Sequence, residues 1–266
     1  MYYVLTVIFI LYFLMLMGRK NHPKMRKLRG WSYAHRGLHG NGVPENSMDA
    51  FRRALEKGYG IELDVHLLKD GGLAVIHDAA LHRTTGAEGV IEDLTTRDLA
   101  NYRLEGTEET IPTLQQVLEL FDGKAPLIIE LKAEKGNHDA LAQTVCQVLE
   151  GYKGAYCIES FDPRCLMWLR KNRPNIIRGQ LSENFLRAKD TNLSWPLRLV
   201  LTSLVMNVLT KPDFIAYKFE DRTGLSPLVC KKIWKIQSVS WTLRSQEDLD
   251  IAVAEGSLPI FEYFEP

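Results

Sequence analysis

Short apolar runs separated by longer amphipathic stretches set the rhythm of the chain from residue 31 onward. SYAHRG, IELDV, LAVIH, PLIIELK, AYCIES, IIRGQL, DFIAYKF, SVSWTL and PIFEYF have the length and composition of strands. Between them, residues 47–57, 113–121, 138–150, 163–172, 225–236 and 246–255 place apolar side chains at helical spacing. Strands alternating with helices predict a parallel α/β fold, since parallel strands need a crossover that a helix supplies. The nine runs exceed the eight of a closed barrel by one, and LAVIH reads as a hairpin-like excursion. From periodicity alone, an open doubly wound sheet competes with the barrel.

Residues 2–17, YYVLTVIFILYFLMLM, break this rhythm by containing no charged side chain. Sixteen residues make a helix of about 24 Å, and Arg19 and Lys20 can snorkel toward the remainder of a hydrocarbon core of about 30 Å. This predicts one N-terminal transmembrane helix at residues 1–18, followed by a basic juxtamembrane linker at 19–30. Positive charge follows the apolar run instead of preceding it, and no small-residue cleavage site is present, which favours a retained anchor over a signal peptide. Six basic residues lie between Arg19 and Arg29 and no acidic residue precedes Glu45, so the expected location is a single-pass membrane protein with its large domain on the cytoplasmic side. The same linker could touch anionic lipid head groups. A second apolar stretch, residues 195–212, reads either as a segment near the bilayer or an acyl-chain entrance, or as a buried helix crossing the barrel rim.

With 266 residues, 45% hydrophobic and 25% charged, the chain can bury one large core. The 33 basic and 33 acidic residues leave no net charge, so nucleic acid is not an expected partner. Cys146, Cys157, Cys165 and Cys230 show no CxxC spacing and read as reduced core thiols, without a disulfide or a zinc site.

Chemistry concentrates in residues 34–78. In IELDV, Glu62 and Asp64 point to one face, roughly 7 Å apart along the strand, while Ile61, Leu63 and Val65 occupy the other. Two carboxylates on one face repel unless a cation lies between them or water surrounds them. Glu130 and Lys132 repeat the pattern at the end of PLIIELK. Three oxygen ligands, Glu62, Asp64 and Glu130, suit one hard divalent cation, Mg²⁺ or Ca²⁺. Arg36 offers a planar fork for phosphate, and Lys132 a point charge for the same group. His35 and His77 suit a general base and a general acid near neutral pH.

HRG, PEN followed by AF, ELDV, KDG, HD before RTT, IPTL and IELK occur in that order from Trp31 to Lys132. Together they resemble the glycerophosphodiester phosphodiesterase family, with weaker echoes to the C-terminus. The resemblance implies a TIM (β/α)8 barrel over residues 31–266, with a small insertion after the second barrel strand at about 67–112. It implies metal-dependent hydrolysis of a glycerophosphodiester to glycerol 3-phosphate and an alcohol. The substrate's own glycerol hydroxyl is then the first nucleophile, giving a cyclic phosphate that water opens. One of His35 and His77 is the base and the other the acid; the sequence does not decide the order, and His35 as base is the preferred reading. Glu45 would stand near the metal ligands, and Arg83 would order the insertion. Glu159 becomes a site-wall residue, and Trp241 either an aromatic wall against the glycerol end or a core tryptophan. A lysophospholipase D acting at the bilayer and a membrane-tethered protein that binds phosphodiesters without turnover are the alternatives. Two departures from the family pattern stand out: Ser47 replaces a common threonine, and PIFEYFEP lacks the usual aspartate, which questions that strand's contribution to the rim.

Overall fold

Eight parallel strands close into a barrel, and the registers show how. The computed structural model describes residues 2–188 and 193–266. The strands are β1 (Tyr33–His35), β2 (Gly60–Leu67), β3 (Leu73–Val75), β4 (Leu127–Leu131), β5 (Tyr156–Ser160), β6 (Arg178–Ser182), β7 (Phe214–Lys218), β8 (Gln237–Leu243) and β9 (Leu258–Phe261). All neighbours pair in parallel except β3, which lies antiparallel to β2, and β1 closes the ring by pairing with both β2 and β9. The closed barrel therefore replaces the open sheet, and LAVIH is the excursion outside it.

The helices are α1 (Tyr2–Met15), α2 (Met48–Glu56), α3 (His82–Thr85), α4 (Leu114–Phe121), α5 (His138–Val148), α6 (Pro163–Asn172), α7 (Trp195–Thr202), α8 (Asn207–Thr210), α9 (Leu225–Leu228) and α10 (Gln246–Ala254). Ser47 caps α2 through the Ala50 N–H, a task threonine performs equally, so that departure is conservative. Ile61, Leu63 and Val65 are fully buried in one cluster with Phe51, Leu114 and Phe121 of the surrounding helices. This turns Glu62 and Asp64 inward, as the period-two pattern predicts. Burying side chains of this size contributes roughly 1.5–3 kcal/mol each.

Inside the barrel, Tyr33, Ile128, Leu181, Phe214 and Ile260 form a second cluster. Gly179 is required there because a Cβ would overlap the Phe214 ring. Gly179→Ala should destabilise the fold by about 1–3 kcal/mol, the usual cost of overpacking, read as a lower midpoint in chemical denaturation.

Residues 67–112 carry their own small core of Leu68, Ile76, Leu81, Ile91, Leu99 and Ile111. The basic segment at 19–30 packs onto the barrel. Met25 and Leu28 are buried in the interior cluster, the Leu28 carbonyl accepts the Tyr33 hydroxyl at 2.7 Å, and Arg19 pairs with Asp213 at 2.5 Å.

The expected transmembrane helix requires correction. Helix α1 has 14 residues, about 21 Å, and no helix among the described residues is long and apolar enough to cross a membrane. Its apolar sequence continues, but Leu16 leaves the helix to become fully buried beside Leu204, Ile215 and Tyr217. Residue 1 of the expected 1–18 span lies outside the described residues. The apolar stretch at 195–212 divides into α7, which buries no residue, and α8, which buries Asn207 and Thr210.

Candidate active site

Strand register brings the charged residues together at the C-terminal end of the barrel. His35 pairs with Glu62, Asp64 with Glu130, and Glu130 with Glu159, so a row of acidic positions crosses β2, β4 and β5. Ligand oxygens of Glu62, Asp64 and Glu130 lie within 4.8 Å of one another, and all three residues are buried. A cavity of about 280 Å³ opens onto Glu62 and Glu130, lined also by His35, Arg36, His77, Glu159 and Trp241. Asp64 and Lys132 are not among its lining residues but lie beside Glu130, the Lys132 ammonium 3.0 Å from Glu130 and 3.3 Å from Asp64. Trp241 meets Phe161 edge-on at 5.7 Å, so it forms an aromatic wall of this cavity.

Each histidine is held by a carboxylate. His35 Nδ1 lies 2.8 Å from Glu262 Oε1, leaving Nε2 directed toward Glu62 Oε2 at 3.8 Å. His77 Nδ1 lies 2.5 Å from Asp78 Oδ1. His77 belongs to the insertion, whose position is fixed by His66: one ring nitrogen meets Glu92 at 2.5 Å and the other the His77 carbonyl at 3.1 Å. Arg36 donates to both Glu45 oxygens at 3.0 and 3.1 Å and approaches Asp64 at 3.5 Å, while its backbone N–H donates to Glu62. Arg83 joins this network through Asp78 and Glu45, so besides ordering the insertion it borders the cavity.

Burial raises the Glu62 carboxyl well above its ordinary range, and the neighbouring Asp64, Glu130 and Glu159 push it further. Burial also raises Asp64, but Lys132, His77 and Arg36 outweigh it and hold that carboxyl well below its ordinary value. Glu130 is raised by burial despite the adjacent Lys132. Glu159 is likewise raised well above a normal carboxyl, by burial and then by Glu130 and Asp64. Glu62 Oε1 and Glu159 Oε2 are buried without a hydrogen-bond partner, and Asp64 Oδ1 meets only the Lys132 ammonium, at 3.3 Å. Crowded, partly unsatisfied oxygens of this kind fit a hard divalent cation.

Sequence reasoning assigns no role to Glu262, yet it is the residue that orients His35. It follows β9 directly and accepts from Arg244 at 3.0 and 3.2 Å as well, with His39 Nε2 at 3.4 Å. The final segment therefore does contribute to the rim, with glutamate where an aspartate was expected. The available signal was an acidic residue at the end of an apolar run, the same pattern as in IELD and IIELK. Asp78 and Asn46 were also missed; the Asn46 amide donates to Asp64 at 2.9 Å. Their partners depend on how the insertion and the first loop fold over the barrel.

Residues 35–252 match the model of the glycerophosphoryl diester phosphodiesterase family. A glycerophosphodiester phosphodiesterase of Bacillus altitudinis is 37% identical over 172 residues, covering 60% of this chain and 70% of the relative. Lysophospholipase D GDPD1 of Rattus norvegicus is 35% identical over 133 residues, covering 45% of this chain and 41% of that protein. Among solved structures, an Oleispira antarctica phosphodiesterase in complex with the product sn-glycerol-3-phosphate superposes with a TM-score of 0.71 at 23% identity, covering 87% of this chain and 92% of the other, a likeness of fold. With the family match extending from the first site histidine through most of the barrel, the chain belongs to the glycerophosphoryl diester phosphodiesterase family and is a phosphoric diester hydrolase.

Proposed function

We propose that the chain hydrolyses glycerophosphodiesters to glycerol 3-phosphate and an alcohol, using a divalent cation and two histidines. The observation that carries this reading is the convergence of His35, His77 and the Glu62–Asp64–Glu130 cluster on one cavity. The names of the relatives and the product bound by the Oleispira phosphodiesterase support the substrate class. Glu62, Asp64 and Glu130 would hold Mg²⁺ or Ca²⁺. The bound ion would supply Lewis-acid stabilisation of charge on a non-bridging phosphate oxygen.

The chain's own groups do the rest. His35, fixed at Nδ1 by Glu262, takes a proton at Nε2 from the attacking hydroxyl, and His77, fixed by Asp78, protonates the leaving alcohol. The attacking group is the glycerol hydroxyl of the substrate, and water opens the resulting cyclic phosphate. Arg36 and Lys132 offset negative charge on the phosphate, while Glu159 and Trp241 wall the glycerol end. Two positioned histidines beside a carboxylate cluster disfavour a protein that only binds its ligand, because binding alone needs no proton donor and acceptor.

Glu262 supplies a pH test of this assignment. Burial lowers His35 below the ordinary histidine value, with the Glu262 hydrogen bond opposing that shift. The neutral base should therefore persist below about pH 6.5, and the acid limb of kcat/KM should fall below that value. Glu262→Gln removes the opposing charge, so the limb should move lower still, with kcat reduced about 10²-fold or more as the ring loses its fixed tautomer. An unshifted limb in a pH–rate profile would count against His35 as the base.

The primary test is turnover of glycerophosphocholine by the full chain with Mg²⁺, Ca²⁺ or EDTA, followed as glycerol 3-phosphate release. Metal-dependent release is expected; none with either ion would overturn the reading. As for location, no helix among the described residues is long and apolar enough to cross a membrane, and placement of the barrel on the cytoplasmic side of a membrane stays a proposal that rests on the basic residues from Arg19 to Arg29. A lysophospholipase D activity is the second reading, favoured by the exposed apolar helix α1.

A further inference from the structure

A second group of ligand atoms stands behind the catalytic base. His35, His39 and Glu262 each bring one such atom to within 4.8 Å of the others, as a group distinct from Glu62, Asp64 and Glu130. His35 Nδ1 lies 2.8 Å from Glu262 Oε1, and His39 Nε2 lies 3.4 Å from the same oxygen. The first contact is a hydrogen bond; the second is not. The His39 side chain is only 8% exposed, and its Nε2 is buried without a hydrogen-bond partner. A buried ring nitrogen aimed at a carboxylate in this way costs free energy until something satisfies it.

The loop after β1 holds His39 in place through its backbone. Gly37 turns the chain at φ +83°, where a Cβ would overlap Ala50, and the His39 N–H donates to the Gly37 carbonyl at 3.0 Å. Gly40 and Val43 then exchange backbone hydrogen bonds at 2.9 and 3.1 Å. From the other end of the chain comes Glu262, whose Oε2 is taken by Arg244, so that Oε1 faces the two imidazoles. The Tyr263 ring meets the His39 ring edge-on at 5.3 Å. A cleft of about 650 Å³ borders His39, Glu262 and Tyr263 and none of the three carboxylates of the first cluster, giving an ion its own route from solvent.

Donor type separates the two groups. Three carboxylates suit a hard cation, whereas two imidazoles and one carboxylate suit Zn²⁺ with a water in the fourth position. Bonds of about 2.0–2.1 Å in a tetrahedron place ligand atoms about 3.3 Å apart. His39 and Glu262 already have that spacing, and the 2.8 Å between His35 and Glu262 need open by only about half an ångström.

We propose that His35, His39 and Glu262 form a Zn²⁺ site that switches the enzyme off by imposing the wrong tautomer on its base. With Glu262 accepting from Nδ1–H, the His35 lone pair is at Nε2, the nitrogen that faces Glu62 and the cavity. An ion bound at Nδ1 takes the lone pair there. The single ring proton passes from Nδ1 to Nε2 through solvent, the ring stays neutral, and Nε2 becomes a donor unable to accept the substrate's proton. The switch rests on the hydrolase reading above, with His35 as base; the ion site itself rests on the three side chains alone.

The test titrates the full chain with Zn²⁺ at saturating Mg²⁺, which keeps the carboxylate cluster filled, and reads both calorimetric binding and glycerol 3-phosphate release from glycerophosphocholine. One Zn²⁺ per chain should bind, and turnover should fall with the same midpoint, through kcat and not KM. His39→Ala should raise both midpoints by about tenfold or more, with its denaturation midpoint checked against wild type. His39→Asn serves in its place if the alanine variant does not fold. Absence of Zn²⁺ binding in the presence of Mg²⁺ would overturn the site. So would inhibition that added Mg²⁺ reverses and His39→Ala leaves unchanged, which would place the Zn²⁺ on Glu62, Asp64 and Glu130. Binding that depends on His39 but leaves turnover intact would overturn the switch. A chain that binds Zn²⁺ through His39 yet releases no glycerol 3-phosphate even without it would sink the hydrolase reading and leave the ion site supported.

Discussion

Replacing His35 with alanine should lower kcat for glycerophosphocholine by about 10²–10⁴-fold, the usual contribution of a positioned acid or base, and His77→Ala should do the same. Both side chains border the cavity and neither packs in a main core cluster, so folding should survive, as judged by an unchanged denaturation midpoint. The two losses should not add in the double variant, because the residues serve one proton-transfer sequence. Their separate effects can be told apart with a diester whose alcohol is a nitrophenol. That leaving group needs little protonation, so His77→Ala should recover most of its activity on it, whereas His35→Ala should remain impaired. Equal recovery in both variants would reverse or remove the assignment of base to His35 and acid to His77.

Loss of the cation should be at least as damaging. Lewis-acid stabilisation worth several kcal/mol corresponds to about 10³-fold or more in rate, so EDTA should reduce turnover by that factor and Asp64→Asn should not be rescued by excess metal. Binding can be separated from rate. Glu62 and Glu130 sit above their ordinary carboxyl range because burial and neighbouring acids disfavour charge. A divalent cation reverses that preference, so its binding should be accompanied by proton release, measured by titration calorimetry in buffers of different ionisation enthalpy. It should also raise the melting temperature with concentration, by mass action. Metal binding without proton release would mean that the carboxylates were already ionised in the free protein.

Local patterning carried most of the architecture. Period-two alternation turned Glu62 and Asp64 inward and Ile61, Leu63 and Val65 outward, and the alternation of short apolar runs with amphipathic stretches placed the strands and helices in order. LAVIH could be set aside as an excursion because KDGG supplies a tight turn just before it. Periodicity could not close the ring: the pairing of β1 with β9 joins residues more than two hundred positions apart, and no local pattern encodes it. The family resemblance supplied the barrel, and the registers supplied its closure.

The chemistry divides in the same way. Residue type and two-residue spacing were enough to single out Glu62, Asp64, Glu130 and Lys132, because carboxylates and an ammonium beside buried strands are costly without partners. What could not be read was which groups hold them. Glu262 reaches His35 from the opposite end of the chain, Asp78 and His66 orient the insertion that carries His77, and Arg83 bridges two loops to Glu45. For α1 the sequence specified the apolar character, while tertiary structure decided the length. Leu16 is buried beside Leu204, Ile215 and Tyr217, so the chain packs onto the barrel where α1 ends, and α1 is 14 residues long.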